Sequence, residues 1–195
     1  FLKAEAVAPE GDGLSHQPPQ SIPELKIELP AWTSGEPVPL RHVDCTAGDG
    51  PDSVTPGGQI SPLIRWDGIP SGTQSVLVLL TDLEAPEWAE DINQPNVEIS
   101  DTVPRRSELR WAQLVSPTAT ELAEGAGQDY AGPCPPWNDV LEHSYIYSVH
   151  ALDVPAVDVS GDLESIRAAI RGHVLAQGSW VGMEATGEAT MEPSE

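Results

Sequence analysis

The stretch SVLVLLTDLEAP, residues 75–86, runs through five consecutive apolar residues, Val76 to Leu80, and then meets two carboxylates and a proline. An unbroken apolar run of that length has no wet face, so it is read as a strand covered on both sides near the middle of a sheet. Upstream, LKIEL (25–29) alternates, with Leu25, Ile27 and Leu29 on one side and Lys26 and Glu28 on the other, as in a strand with one solvated face. Downstream, HSYIYSVHAL (143–152) is aromatic and branched, with Tyr145, Tyr147, Val149 and Ala151 sharing one face and Ile146, Ser148 and His150 the other. It reads as a second inner strand. The strongest helix signal comes late: Asp162 caps a segment expected to run to about Ala176, with Leu163, Ile166, Ile170 and Val174 on one stripe and Gly178 just beyond. SWVGMEA (179–185) then returns as a strand. Short strands, 20 prolines, 17 glycines and one late helix point to a mainly β chain, a sandwich with a helical appendage.

The polar, Pro- and Gly-bearing segments 47–60 and 87–109 are read as long loops. Residues 1–21 and 186–195 lack periodicity and are expected to be flexible tails, leaving a single folded domain over 22–185. With 31 acidic and 9 basic residues the net charge is −22. Such a surface repels phosphate backbones and anionic bilayers, which sets nucleic acid aside as a partner. No apolar run approaches the roughly 20 residues of a membrane helix, the longest being VLVLL at 76–80. The expected location is the cytoplasm, with a secreted form after removal of a leader as the alternative, since Phe1 is not an initiator. Cys45 and Cys134 lie in no metal-ligand pattern, so no metal is expected; two free thiols are the expected state and a single bridge the alternative.

Asp82 and Glu84 stand two apart at the end of the buried strand, where a carboxylate either caps backbone amides or lines a pocket. YAGPCPPWNDVLEH (130–143) places three prolines, a glycine and a cysteine within seven residues and then supplies His143, the pattern of a stiff loop that holds something. No G-x-S-x-G elbow, H-E-x-x-H, phosphate-binding loop or dinucleotide fingerprint is present, so no catalytic residue and no cofactor is assigned.

Three blocks, 61–86, 130–153 and 171–182, together resemble in order the phosphatidylethanolamine-binding protein (PEBP) family, in particular its bacterial and archaeal Raf-kinase-inhibitor-like branch. In that family the first block ends in a D-x-D signature closed by a proline, the second reads G-P-C-P-P ahead of a His-Arg-Tyr strand start, and a His-Val-Leu-Ala stretch lies on the late helix. HVDCTAG (42–48) resembles a further family segment around Cys45. The resemblance implies a β-sandwich with a large central sheet, a C-terminal helix and a small anion-binding pocket. Carried over by position, that pocket comprises Asp82, Glu84, Pro86, Gly132, Pro133, Cys134, His143 and Tyr145, with the proline loop as a wall presenting backbone amides to the anion. Two departures stand out. Arg110 precedes Trp111 where the family usually has His-Trp, which replaces an acid-base group by a permanently charged fork suited to an anion; Glu84 replaces an aspartate.

The expectation is therefore a binding protein for a small anionic or phosphorylated ligand, with a regulatory role in view. Alternatives are a kinase or protease inhibitor acting through loop 87–109, whose PRRSE is a basic spot in an acidic chain, and, further behind, a small hydrolase using His143. Relatives in the branch suggest a homodimer.

Overall fold

The computed structural model describes residues 21–50 and 52–186. Strands β1 (Lys26–Glu28), β4 (Ile64–Asp67) and β7 (Glu121–Leu122) form one antiparallel sheet in the order β1-β4-β7. Strands β5 (Ser75–Pro86), β6 (Arg105–Val115), β8 (His143–Leu152) and β9 (Val174–Glu184) form a second, in the order β6-β5-β8-β9. A hairpin of β2 (Cys45–Ala47) and β3 (Val54–Pro56) stands apart from both.

The two sheets enclose the main core. Leu25, Ile27, Leu29, Ile64, Trp66 and Leu122 from the small-sheet side meet Val76, Val78, Leu80, Tyr145, Tyr147, Val149 and Ala151 from the large one. The other face of β5 offers Leu77 and Leu79 to Ile166 and Ile170 of α1 (Leu163–Ile170). The apolar run at 76–80 is thus covered on both faces, by a sheet and by a helix, which is why it lacks alternation.

The helix is shorter than its apolar stripe predicts. Asp162 caps it, its side chain accepting the Ser165 amide at 2.8 Å, but it stops at Ile170 because Gly172 takes φ +82° and turns the chain. Val174 therefore opens β9 instead of extending the helix, and Gly178 lies mid-strand opposite Val149. The segment 47–60 contains β3, and β6 begins at Arg105, so the second loop spans 87–104 and carries a short 3-10 turn at Ala89–Asp91. Thr186, placed by the sequence in the C-terminal tail, is buried and donates to the Pro135 carbonyl at 2.8 Å. The expected tails at 1–20 and 187–195 lie outside the described residues.

Cys45 and Cys134 are bridged, not free, with Cα atoms 4.9 Å apart. They are 89 residues apart in sequence, and what brings them together is backbone pairing: the Pro133 carbonyl accepts the Asp44 amide at 2.8 Å.

Candidate functional site

Two bulges shape the site. Between β5 and β6, Leu80 pairs with Trp111 and Thr81 with Leu109, so Arg110 is an extra residue and its side chain leaves the regular alternation. A second irregularity follows Asp82, whose next partner pair is Ala85 with Arg106. Asp82 itself pairs with Tyr145 on β8, so both face the sandwich core side of the large sheet.

His143 opens β8 fully buried. Its Nδ1 lies 3.0 and 2.9 Å from the two oxygens of Asp82, and its Nε2 lies 3.1 Å from Asp139. Burial opposes charging of the ring, but the two carboxylates outweigh it and push its pKa up to about 9. At neutral pH the ring is an imidazolium with both N–H groups given to carboxylates, so it has no lone pair with which to act as a base. Asp139 is buried too; desolvation alone would raise its pKa, but the hydrogen bonds from His143 and Arg105 prevail and hold it below its usual range. Arg105 grips Asp139 with both terminal nitrogens and also donates to the carbonyls of Glu84 (3.0 Å) and Ser100 (2.9 Å). Of the basic pair in PRRSE, Arg105 is thus turned inward, and Arg106 pairs with Glu108 at 2.8 Å.

The two carboxylates of 82–84 both hold backbone. Asp82 accepts the Glu84 amide at 2.9 Å, and Glu84 accepts the Ser144 amide at 2.6 Å. Pro86 ends β5, buried, opposite Arg105.

The proline loop is clamped on its other side. Gly132 donates to Asp44 at 2.7 Å and its carbonyl accepts from Arg110 at 3.1 Å. A Cβ at Gly132 would come within 2.5 Å of the His42 carbonyl, so only glycine fits here. With Pro133, Pro135 and Pro136 lacking N–H groups and the Gly132 amide taken, Cys134 holds the one further amide of 132–136, and it faces the Tyr145 hydroxyl. The loop is therefore not the row of amide donors that the family resemblance implied; its rigidity is real, but it offers at most one amide.

Arg110 and Tyr145 are different. Arg110 Nε and the Tyr145 hydroxyl are both buried without a hydrogen-bond partner. Burial first, then the charge and closeness of Asp82, pushes the tyrosine pKa well up, while Arg110 and the adjacent Cys134 amide oppose this, so the phenol stays a donor. Arg110 also approaches Asp44, but at 3.7 Å, beyond hydrogen-bond length. Trp111 packs on Tyr130 with ring centroids 5.3 Å apart, and its indole donates to the Gln128 carbonyl. Tyr130 in turn meets the Tyr147 hydroxyl at 2.8 Å.

The sequence pattern that describes the phosphatidylethanolamine-binding proteins matches residues 29–184. The chain belongs to this family. Among curated relatives, the UPF0098 protein YbhB of Escherichia coli is 32% identical over 64% of this chain and 76% of its own length. A UPF0098 protein of Chlamydia muridarum is 27% identical over 81% of this chain and 97% of its own. Two crystal structures share the fold at 21% identity: E. coli YbcL, a member of the PEBP family, with TM-score 0.62 over 83% of this chain and 98% of its own, and the PEBP homologue CT736 of Chlamydia trachomatis, with 0.61 over 84% and 98%.

The fold brings Asp82, Arg110, Gly132, His143 and Tyr145 around one end of the large sheet, commits Glu84 to the Ser144 amide and leaves Pro86 to end β5. Sequence reasoning missed Asp44, Arg105, Tyr130 and Asp139. Asp139 had a signal, standing four residues before His143 in the stiff loop; Asp44 and Arg105 lie in the HVDCTAG and PRRSE stretches, but nothing along the chain tied them to this site. A cavity of about 560 Å³ opens on the far side of Asp139, lined by Asp49, Asp52 and Glu98 with no basic group among its described residues, so it repels anions. Among the described residues no helix is long and apolar enough to cross a membrane.

Proposed function

We propose that this PEBP-family chain is a binding protein for a small anionic or phosphorylated ligand, held by Arg110 Nε and the Tyr145 hydroxyl beside the Cys134 amide. The single observation behind this reading is that pair of buried, unpartnered donors. Burying a donor unmade costs roughly 1–3 kcal/mol, and a phosphate or carboxylate oxygen is the partner that relieves both. Asp82 does not repel such a ligand as a bare carboxylate would, because the charged His143 faces it at 2.9 Å. Asp44, only loosely engaged with Arg110, is the group a ligand displaces.

The bridge between Cys45 and Cys134 supports an oxidising compartment over the cytoplasm, since bridges of this kind persist outside reducing cytosol. A proton–nitrogen NMR titration with phosphate and phosphoethanolamine tests the site. Saturating shifts at Arg110 Nε and the Cys134 amide are expected; silence at both overturns the reading.

A further inference from the structure

The face of the large sheet turned away from Asp82 is only half covered. Ile166 and Ile170 of α1 lie on the apolar strip of Leu77 and Leu79. Next to that strip, β8 and β9 present Ser148 and His150 directly opposite Ser179 and Gln177. A strand face destined for a helix is apolar, as β5 is; this one is a block of four polar side chains. The chain ahead of β1 walls it in. Gln177 donates its amide to Pro23 at 3.0 Å and accepts that of Leu25 at 2.8 Å, which sets Ile22 and Glu24 along one side. The open groove has a volume of about 420 Å³, within the roughly 300–1,000 Å³ of small-molecule sites.

His150 is the key to its chemistry. Its Nε2 lies 3.0 Å from Ser148 Oγ, while Nδ1 is buried with no partner. Burial outweighs the neighbouring Gln177 amide and, with the charge of Arg167, pushes the pKa down to about 4. The ring is neutral at physiological pH, one nitrogen a donor and the other an acceptor. The Ser148–His150 pair is not set up for nucleophilic attack: β8 is hydrogen-bonded on both sides, to β5 and β9, so the strand's own amides are committed to ladders and none is free to steady an oxyanion. Binding, not catalysis, fits the groove.

We propose that this groove binds a small polyhydroxylated compound, neutral or amine-bearing, through His150 Nδ1, the hydroxyls of Ser148 and Ser179, the Gln177 side-chain carboxamide and the Glu24 carboxylate. Hydroxyl groups both donate and accept, as do serine, glutamine and neutral histidine, so each lining group finds a match. An anion would meet the Glu24 carboxylate on the groove wall, the nearest cation, Arg167, lying outside the lining, and an apolar molecule would strand the polar atoms. Ile22 supplies the apolar edge against which a carbon skeleton rests.

The test uses the full chain labelled with nitrogen-15, titrated near neutral pH with glucose, glucosamine and glycerol while the histidine ring nitrogens and backbone amides are followed. A saturating shift of His150 Nδ1 together with the amides of Ser148, Gln177 and Ser179, without movement at Arg110 Nε, is expected for at least one probe. Glu24→Gln should weaken that probe about tenfold, and Ser179→Trp should block it; both positions are exposed, so the fold is spared. No response of His150 to any of the three, or a response that survives Ser179→Trp, overturns the proposal. Because the groove and the Arg110 site lie on opposite faces, failure of one leaves the other standing.

Discussion

Asp139 and His143 stand four residues apart in the chain and 3.1 Å apart in space, both fully out of water. Together with Arg105 on one side and Asp82 on the other they form a row of alternating charge, cation to anion to cation to anion, buried at the root of the proline loop. Each charge is tolerable only because its neighbours are present.

The row makes stability depend on pH. The folded pKa of His143, about 9, lies above its unfolded value of 6.5, so its contribution is complete below 6.5 and is lost as pH rises through 9. The linkage is worth roughly 3 kcal/mol. Asp139, depressed below 3.8, contributes above that value and loses its contribution as pH falls below it. Urea melts across pH 6 to 10 should show a declining midpoint, and His143→Asn should flatten the decline; an undiminished slope in the variant refutes the assignment.

Removing Arg105 strands Asp139. Arg105→Ala should cost about 3–5 kcal/mol, the range for breaking a buried pair by deleting one partner, and should speed amide exchange at Ile99 and Val140, which donate to the Asn138 and Ile99 carbonyls beside the gap. Asp139→Asn in the same background should recover part of the loss, because it removes the orphaned charge; no recovery would mean that Arg105 acts through its carbonyl contacts alone.

Opening the Cys45–Cys134 bridge should cost about 2–4 kcal/mol and leave the fold in place, since Asp44 and Gly132 still tie the loop to its neighbour. Intact mass after alkylation, with and without reductant, checks the bridge, and the melting of the double serine variant checks its energy.

Arg110→Met should abolish the phosphate-induced shift at Cys134 while changing stability by less than about 1.5 kcal/mol. The isosteric stem keeps the packing, and the guanidinium loses only the Gly132 carbonyl and a long approach to Asp44. A preserved phosphate response would place the anion elsewhere.

A net charge of −22 on this chain means that the compact state repels itself. Raising salt from low to molar concentration screens the repulsion, so the thermal midpoint should climb. A flat or falling midpoint would show that surface repulsion does not limit the stability of the fold.

The amino-acid sequence alone made β1, β5 and β8 legible, because a half-buried strand must alternate and a doubly covered one cannot, whereas β4 and β7 went unread and the start of β6 lay within an expected loop. It also carried the family's blocks, and with them Asp82, Gly132, His143 and Tyr145. What it could not carry were events set by neighbours in space. The helix ends at Ile170 because Gly172 turns, although the apolar stripe runs on to Val174; the thiols are joined because Asp44 pairs with Pro133 across almost half the chain. His143 is charged, not basic, because Asp82 and Asp139 converge on it, and Arg110 faces the site because one extra residue in β6 breaks the alternation. Periodicity is a local property and legible along the chain; bridges, charge states and bulge-directed side chains depend on contacts between distant segments, and those exist only once the sheets have closed.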